Sequence, residues 1–138
     1  MVETAQITGI LEAALYAGDL DAAEDFYEQL LGLEKIQRVA NRRVFFRAGA
    51  SVLLIFNPEL TINPPSNPRL PVPPHGGHGP GHACLTLDRE GITAMRARLE
   101  QAGVTIDAEF DWPNGARSLY VRDPAGNSLE FAESRLWQ

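Results

Sequence analysis

The stretch LEAALYAGDLDAAEDFYEQLLG, residues 11–32, carries two periodicities in succession. Its first seven residues alternate as a strand does. From Leu20 onward the apolar residues recur at helical spacing, Asp19 is a good N-cap, and Gly32 suits the left-handed position after a helix. We therefore predict a strand followed by a helix.

Three further strands are predicted outward from this stretch, at residues 34–40, 43–49 and 51–57, with turn residues between them. The first module, residues 8–57, thus has the order βαβββ. The same order recurs in a second module, residues 81–134, with a strand at 82–88, a helix at 90–103 and strands at 104–110, 116–123 and 127–133. Residue identity between the halves is low, so we interpret this as a duplication of structure, and we predict one α+β domain over residues 1–138.

The segment between the modules, residues 58–80, holds most of the ten prolines. Proline removes a backbone donor and disrupts helix interiors and central strands. We expect no helix and no central strand here, and interpret the segment as a linker or a lid.

Composition restricts the partners and the compartment. A net charge of −6 leaves no basic face for nucleic acid or an anionic membrane, so neither is an expected partner. No apolar run is long enough to span a bilayer, and the N-terminus does not look like a signal peptide. The single cysteine, Cys84, excludes an internal disulfide and agrees with a reducing, cytoplasmic location.

Superposing the two modules brings chemically competent residues together. Matching their first strands places Glu12 over His82, and matching their last strands on Phe56 and Phe131 places Ile55 over Glu130. Strand alternation puts Glu12, His82 and Glu130 on the face away from the helices.

Three stretches, LYAGDLDAAEDFYEQLLGLE, GHACLTL and RSLYVRDPAGNSLEFAE, resemble the vicinal oxygen chelate superfamily, which includes glyoxalase I, extradiol dioxygenases, fosfomycin-resistance enzymes and bleomycin-resistance proteins. The resemblance implies a curled mixed sheet around a concave metal or ligand site. It implies Glu12, His82 and Glu130 as metal ligands. The position of a fourth ligand in glyoxalase I is aliphatic here, at Leu54 or Ile55, which counts against glyoxalase I activity.

Two carboxylates and one imidazole suit Mn²⁺, Fe²⁺, Co²⁺, Ni²⁺ or Zn²⁺ and leave positions open for a bidentate oxygen substrate. Isomerisation, lyase chemistry, a resistance-type transfer that opens an epoxide and ring cleavage all remain open. Glu12 could instead act as a general base. Two histidines in the bridge complete the candidates: His75, whose backbone the preceding prolines restrict, is a third catalytic candidate beside Glu130 and Glu12, whereas His78 lies among glycines and is not expected to be a ligand.

Five residues are candidate substrate contacts: Phe46, Trp112, Arg117, Tyr120 and Cys84. Aromatics are also typical core residues and arginines are commonly solvated, and we assign no catalytic role to Cys84. The leading hypothesis is a metal-dependent enzyme that acts on a small molecule as a homodimer. The alternatives are a metal-free protein that sequesters a small molecule, as bleomycin-resistance proteins do, and an interaction module that keeps an unused triad.

Overall fold

The computed structural model describes residues 4–138. Its strands are β1 (Glu12–Tyr16), β2 (Glu34–Val39), β3 (Arg43–Ala48), β4 (Ser51–Phe56), β5 (His82–Thr86), β6 (Ile106–Asp111), β7 (Arg117–Arg122) and β8 (Ser128–Ala132). Its α-helices are α1 (Leu20–Glu24), α2 (Pro58–Thr61) and α3 (Arg89–Gln101), and a 3₁₀ turn covers Ser134–Trp137. Within residues 4–138, none of the helices has the length and apolar character that crossing a bilayer requires.

The strands form two four-stranded sheets, one per module, in the orders β1-β4-β3-β2 and β5-β8-β7-β6. In each sheet the first pair is parallel and the other pairs are antiparallel. Both sheets are irregular at the same place, between Lys35 and Gln37 on β2 and between Ile106 and Ala108 on β6. The predicted doubled βαβββ order and the α+β class are confirmed.

The first helix begins at Leu20, as predicted, and α3 begins at Arg89, one residue before the predicted start. The Asp19 carboxylate accepts the amide of Ala22, and the Asp88 carboxylate accepts the amide of Gly91. The first helix differs from the prediction in its second half, because residues Asp25–Leu30 form a π-helical turn. The Leu31 amide there reaches back five residues to the Phe26 carbonyl.

The expectation that no part of the bridge is helical was wrong for its first four residues. Asn57 caps the turn α2 by accepting the Glu59 amide, and Pro58 occupies the first helical position, where a missing N–H costs nothing. The rest of the bridge, up to β5, has no regular structure and folds back over the first sheet.

Both modules contribute to one hydrophobic core. The helix-facing side chains of β1 and β8, such as Leu15 and Phe131, lie in the same cluster as Tyr27 and Leu99 from the two helical segments. The opposite faces of the two sheets therefore remain available for a site.

A buried polar network around Asp123 joins the modules. One Asp123 carboxylate oxygen accepts the Tyr27 hydroxyl at 2.7 Å and the Asn127 amide at 2.9 Å, and the other accepts the backbone amides of Ala125 and Asn127. Asn127 in turn donates to the Tyr16 carbonyl and accepts the Gly81 amide. Burial and the Asp123 carboxylate raise the pKa of Tyr27 far above its ordinary value, so the phenol stays a donor.

We expect Asp123→Ala to lower the free energy of unfolding by about 3 kcal/mol or more, because it leaves several buried donors without an acceptor. Tyr27→Phe, which removes one hydrogen bond to a charged group, should cost about 2 kcal/mol. Asp107→Ala, which removes an exposed ion pair with Arg122, is the control and should cost at most about 1 kcal/mol. Urea unfolding measures all three, and similar losses for Asp123→Ala and Asp107→Ala would contradict the network's role.

Candidate functional site

The sheet register decides which residues of the two modules correspond. Glu130 is paired with Cys84, two residues after His82. In the first sheet, the corresponding pair is Ala14 and Leu54. The prediction that allowed Ile55 at this place is therefore corrected to Leu54; Ile55 is fully buried in the core. The error came from matching the two phenylalanines, which shifts the last strand by one residue and reverses its faces.

His82 and Glu130 face each other on the open side of the second sheet. The Nδ1 atom of His82 lies 2.9 Å from the Ser128 carbonyl oxygen, and its Nε2 atom lies 3.4 Å from Glu130 Oε1. A carbonyl can only accept, so Nδ1 carries a proton, and in the neutral ring Nε2 directs a lone pair at the carboxylate. The His82 side chain is about half exposed (51%), whereas that of Glu130 is almost fully buried (7%).

The second carboxylate oxygen of Glu130 is held from the neighbouring strand. Ser118 Oγ donates to Glu130 Oε2 at 2.5 Å, and Trp112 Nε1 donates to Ser118 Oγ at 2.7 Å. This chain orients the carboxylate and leaves Oε1 directed at His82. Sequence reasoning missed Ser118; its only signal was the strand alternation that places it on the same face as Tyr120.

Aromatic rings extend from His82 across the second sheet. Tyr120 stacks on the His82 ring with centroids 6.3 Å apart, and Phe110 stacks on Tyr120 at 5.8 Å. Trp112 meets Phe110 edge to face at 4.9 Å. These rings form an apolar wall beside the His82–Glu130 pair.

Two weakly acidic groups near Glu130 stay protonated at neutral pH. Burial and the Glu130 carboxylate raise the pKa of the Cys84 thiol to about 12 and that of the Tyr120 phenol to about 12. Because the thiolate is the nucleophilic form, this environment argues against nucleophilic chemistry at Cys84.

Glu12 lies on the other sheet and lines a different cavity, of about 640 Å³, between the first sheet and the bridge. His75 lines the same cavity at its other end. The His75 Nδ1 atom lies 2.8 Å from the Tyr16 hydroxyl, and its ring packs edge to face on Phe56 at 4.5 Å. His78 is outside this cavity, 3.6 Å from Glu59.

The three sequence-predicted ligands do not meet within one chain. In the part of the chain that the structure describes, no three His, Cys, Asp or Glu side chains form a group that could hold a metal ion. His82 and Glu130 are in contact, whereas Glu12 is on the face of the first sheet.

The predicted substrate contacts divide between the two sides of the strands. Trp112, Tyr120 and Cys84 lie with the His82–Glu130 pair. Phe46 is fully buried in the core against Tyr27, so its assignment as a substrate contact is corrected. Alternation along β3 instead places Phe45 at the cavity.

Arg117 is also separated from the site. It alternates with Ser118 and forms ion pairs with Asp111 at 2.9 Å and Glu109 at 3.2 Å. Its charge is thereby neutralised within the chain. The structure gives Arg117 a role in an ion-pair network and shows no contact with His82 or Glu130.

A doubled βαβββ chain with polar side chains on the open faces of its sheets defines a glyoxalase-like α+β protein. The chain belongs to the Glyoxalase/Bleomycin resistance protein/Dioxygenase superfamily, whose family model matches residues 9–131. Comparison with curated protein sequences gives no significant match.

Solved structures agree with this family. The chain is 40% identical to a lactoylglutathione lyase from Agrobacterium tumefaciens, with a TM-score of 0.87 over 96% of this chain and 98% of that chain. A glyoxalase/bleomycin resistance protein/dioxygenase from Nocardioides is 22% identical, with a TM-score of 0.70 over 94% of this chain and 85% of that chain. An integron cassette protein from the mobile metagenome of V. cholerae is 23% identical, with a TM-score of 0.70 over 96% and 99%. The last two show the fold alone.

The raised pKa of Cys84 predicts slow alkylation. At pH 8 about one thiol in 10,000 would be ionised at a pKa of about 12, against about one in four for an ordinary cysteine, so iodoacetamide should react at least about 100-fold more slowly than with glutathione. Glu130→Gln removes one cause of the shift and should accelerate the reaction in chelator-treated protein by about tenfold. Glu90→Gln, on the exposed side of α3, is the control; equal rates in the two variants would contradict the assignment.

Proposed function

We propose that the protein is a divalent-metal-dependent enzyme that binds a small substrate through two oxygen atoms, with His82 and Glu130 as ligands from one chain. The observation that carries this proposal is the pair of acceptor atoms, His82 Nε2 and Glu130 Oε1, facing each other at 3.4 Å. Two lone pairs at this separation repel unless a proton or a cation lies between them.

The donor set fits a metal ion. Two donors that are each about 2.1 Å from one ion and at about 90–110° to each other are about 3.0–3.4 Å apart, which matches the observed separation. Both donors are oriented by partners that do not compete for the ion, Ser128 behind His82 and Ser118 behind Glu130. Metal-binding histidines and carboxylates are commonly held in this way.

A second copy of the chain would supply the third ligand. Strands β1 and β5 are edge strands of their own sheets, and each has one side that pairs with no other strand of residues 4–138. The segment that leads into β1 exposes Ile7, Ile10 and Leu11 at 91%, 77% and 74%, more apolar surface than a segment usually leaves in water. In the proposed dimer, two-fold pairing of β1 of one copy with β5 of the other would cover this segment and would bring Glu12 to the His82–Glu130 pair.

The residues then have separable roles. The ion would supply polarisation of the substrate oxygens. His82 and Glu130 hold that position, and Tyr120 and Phe110 exclude water from one side. Glu12 is on the open face as a ligand or a base, and His75 has its Nδ1 engaged by Tyr16, which leaves Nε2 to exchange a proton.

Leu54 limits what the similar Agrobacterium lyase implies about the substrate of this protein. The Agrobacterium protein makes lactoylglutathione the first compound to test. An aliphatic side chain at the position of the fourth ligand counts against that reaction here, and favours a three-ligand site. A metal-free binding protein is the second candidate, and the covered cavity of about 640 Å³ is the observation that favours it.

We expect about one divalent ion per chain in protein that is purified without chelator, and less than about a tenth of that in folded His82→Ala and Glu130→Gln. His78→Ala is the matched control and should keep its metal, because His78 is an exposed bridge residue whose Nε2 atom lies 3.6 Å from Glu59. Elemental analysis after gel filtration measures the content. Equal metal in His78→Ala and Glu130→Gln would refute the assignment, and no uptake from added Mn²⁺, Fe²⁺, Co²⁺, Ni²⁺ or Zn²⁺ would favour the binding protein.

The composite site makes a second prediction. Glu12→Ala and His82→Ala chains should each bind no metal alone, but a heterodimer of the two regains one intact site, from Glu12 of one chain and His82 and Glu130 of the other. Random pairing after co-refolding should give about 0.25 ion per chain. A site built within one chain predicts no recovery, so the absence of metal in verified heterodimers would exclude the shared arrangement.

A further inference from the structure

The bridge roofs the cavity over the first sheet. Its floor is the outward face of the sheet, with Phe45, Leu54 and Phe56, and its roof includes Leu70 and Val72. More of the surface that lines the cavity is apolar than polar.

Three contacts hold the roof in place. Besides the Tyr16–His75 hydrogen bond, the His75 amide donates to the Thr61 carbonyl at 2.9 Å. Next to His75, a Cβ on Gly76 would lie 2.5 Å from Cγ2 of Ile62, the residue that follows α2, so any larger residue at this position would force Ile62 to shift. The roof is fitted to the rest of the chain, which makes the cavity a built feature.

The charge of the cavity is opposite to that of the protein. The chain carries a net charge of −6, yet the cavity is lined by one carboxylate, Glu12, and by two arginines, Arg42 and Arg43. Among residues 4–138 neither arginine has a carboxylate partner, although most other arginines do: Arg38, Arg47, Arg89, Arg96, Arg117, Arg122 and Arg135. Both are half-buried.

Arg43 is also positioned. Its Nε donates to Gln37 Oε1 at 2.9 Å, and its guanidinium lies 5.6 Å from the centre of the Phe45 ring. These contacts fix the plane of the guanidinium and leave its two terminal nitrogens without a partner among the described residues. An arginine held this way suits bidentate recognition of a planar anion.

We propose that this cavity is a carboxylate-recognition subsite, in which Arg43, assisted by Arg42, binds the carboxylate of an elongated substrate whose apolar body lies over Phe45 and Phe56. With one carboxylate and two guanidinium groups, the lining carries a net charge of +1, which a monoanion neutralises. This deepens the proposed function and rests on it for the other end of the substrate.

The strand register sets the length of that substrate. Arg43 pairs with Phe56, as Tyr16 does, and Glu12 lies four residues before Tyr16 on β1. Four residues of strand span about 13 Å, so the carboxylate binds at the end of the cavity remote from Glu12. The substrate then carries its metal-binding oxygens at one end and its carboxylate at the other.

The test uses 4-phenylbutyrate, which has a carboxylate on an apolar stem and no other oxygen-bearing group. The neutral amide of the same compound is the matched probe. Binding is measured by calorimetry on the dialysed full-length protein with EDTA, which removes the metal from the comparison. The acid should bind at least tenfold more tightly than the amide. Arg43→Gln should weaken the acid at least tenfold and leave the amide unchanged, and Arg42→Gln should have a smaller effect in the same direction.

Arg47→Gln is the control, because Arg47 is on the same strand, exposed and paired with Glu34 at 3.3 Å. Arg43→Lys keeps the charge without the fork and replaces Arg43→Gln if that variant does not fold. Equal affinity for acid and amide, an unchanged affinity in folded Arg43 variants, or an equal loss in Arg47→Gln overturns the subsite. Tighter binding of 2-phenylethyl phosphate than of the acid overturns the carboxylate assignment. If the protein binds the acid selectively but takes up no metal, the subsite stands and the proposed metal-dependent enzyme is refuted. If it binds metal but shows no preference for the acid, the proposed enzyme stands and the subsite is refuted.

Discussion

Asp123 places a carboxylate inside the protein at the turn between β7 and β8, where it needs several donors to offset its desolvation. Tyr27 of the first module and Asn127 of the second supply them. Asn127 also holds the Gly81 amide, and the Ser128 amide donates to the Gly81 carbonyl. One network therefore joins the modules and sets the segments that immediately precede His82 and Glu130, so the position of the candidate ligands depends on the core.

The periodicities were sufficient to predict the fold because each element has one apolar face and the order of elements repeats. They were also sufficient to place His82 and Glu130 on one side of a sheet. The periodicities could not predict the contact of Ser118 with Glu130, because that contact depends on the register between strands. They also placed Phe46 wrongly, because the sequence does not show whether an apolar strand residue faces the core or the open side. Composition likewise could not show that Pro58 begins a turn of helix, since that depends on the Asn57 cap.

The two sheets share a backbone plan but carry different chemistry. The second sheet has the imidazole–carboxylate pair and a wall of aromatic rings. The first has Leu54 where the second has Glu130, and it has a roofed cavity with two arginines that lack carboxylate partners among residues 4–138. In the proposed function the two sheets are complementary half-sites, of which one would hold the ion and the other would hold the body of the ligand.

A site divided between copies links binding to assembly. A ligand that binds only the paired state stabilises that state by RT ln(1 + [L]/Kd), about 2.7 kcal/mol at a hundredfold excess over Kd. The exposed Ile7, Ile10 and Leu11 favour pairing through burial alone, but non-directional burial does not fix register. An ion shared by Glu12 of one copy and His82 and Glu130 of the other would do so, because three donors meet only when β1 and β5 are in one alignment. In the proposed assembly the metal thus specifies the interface as well as the chemistry.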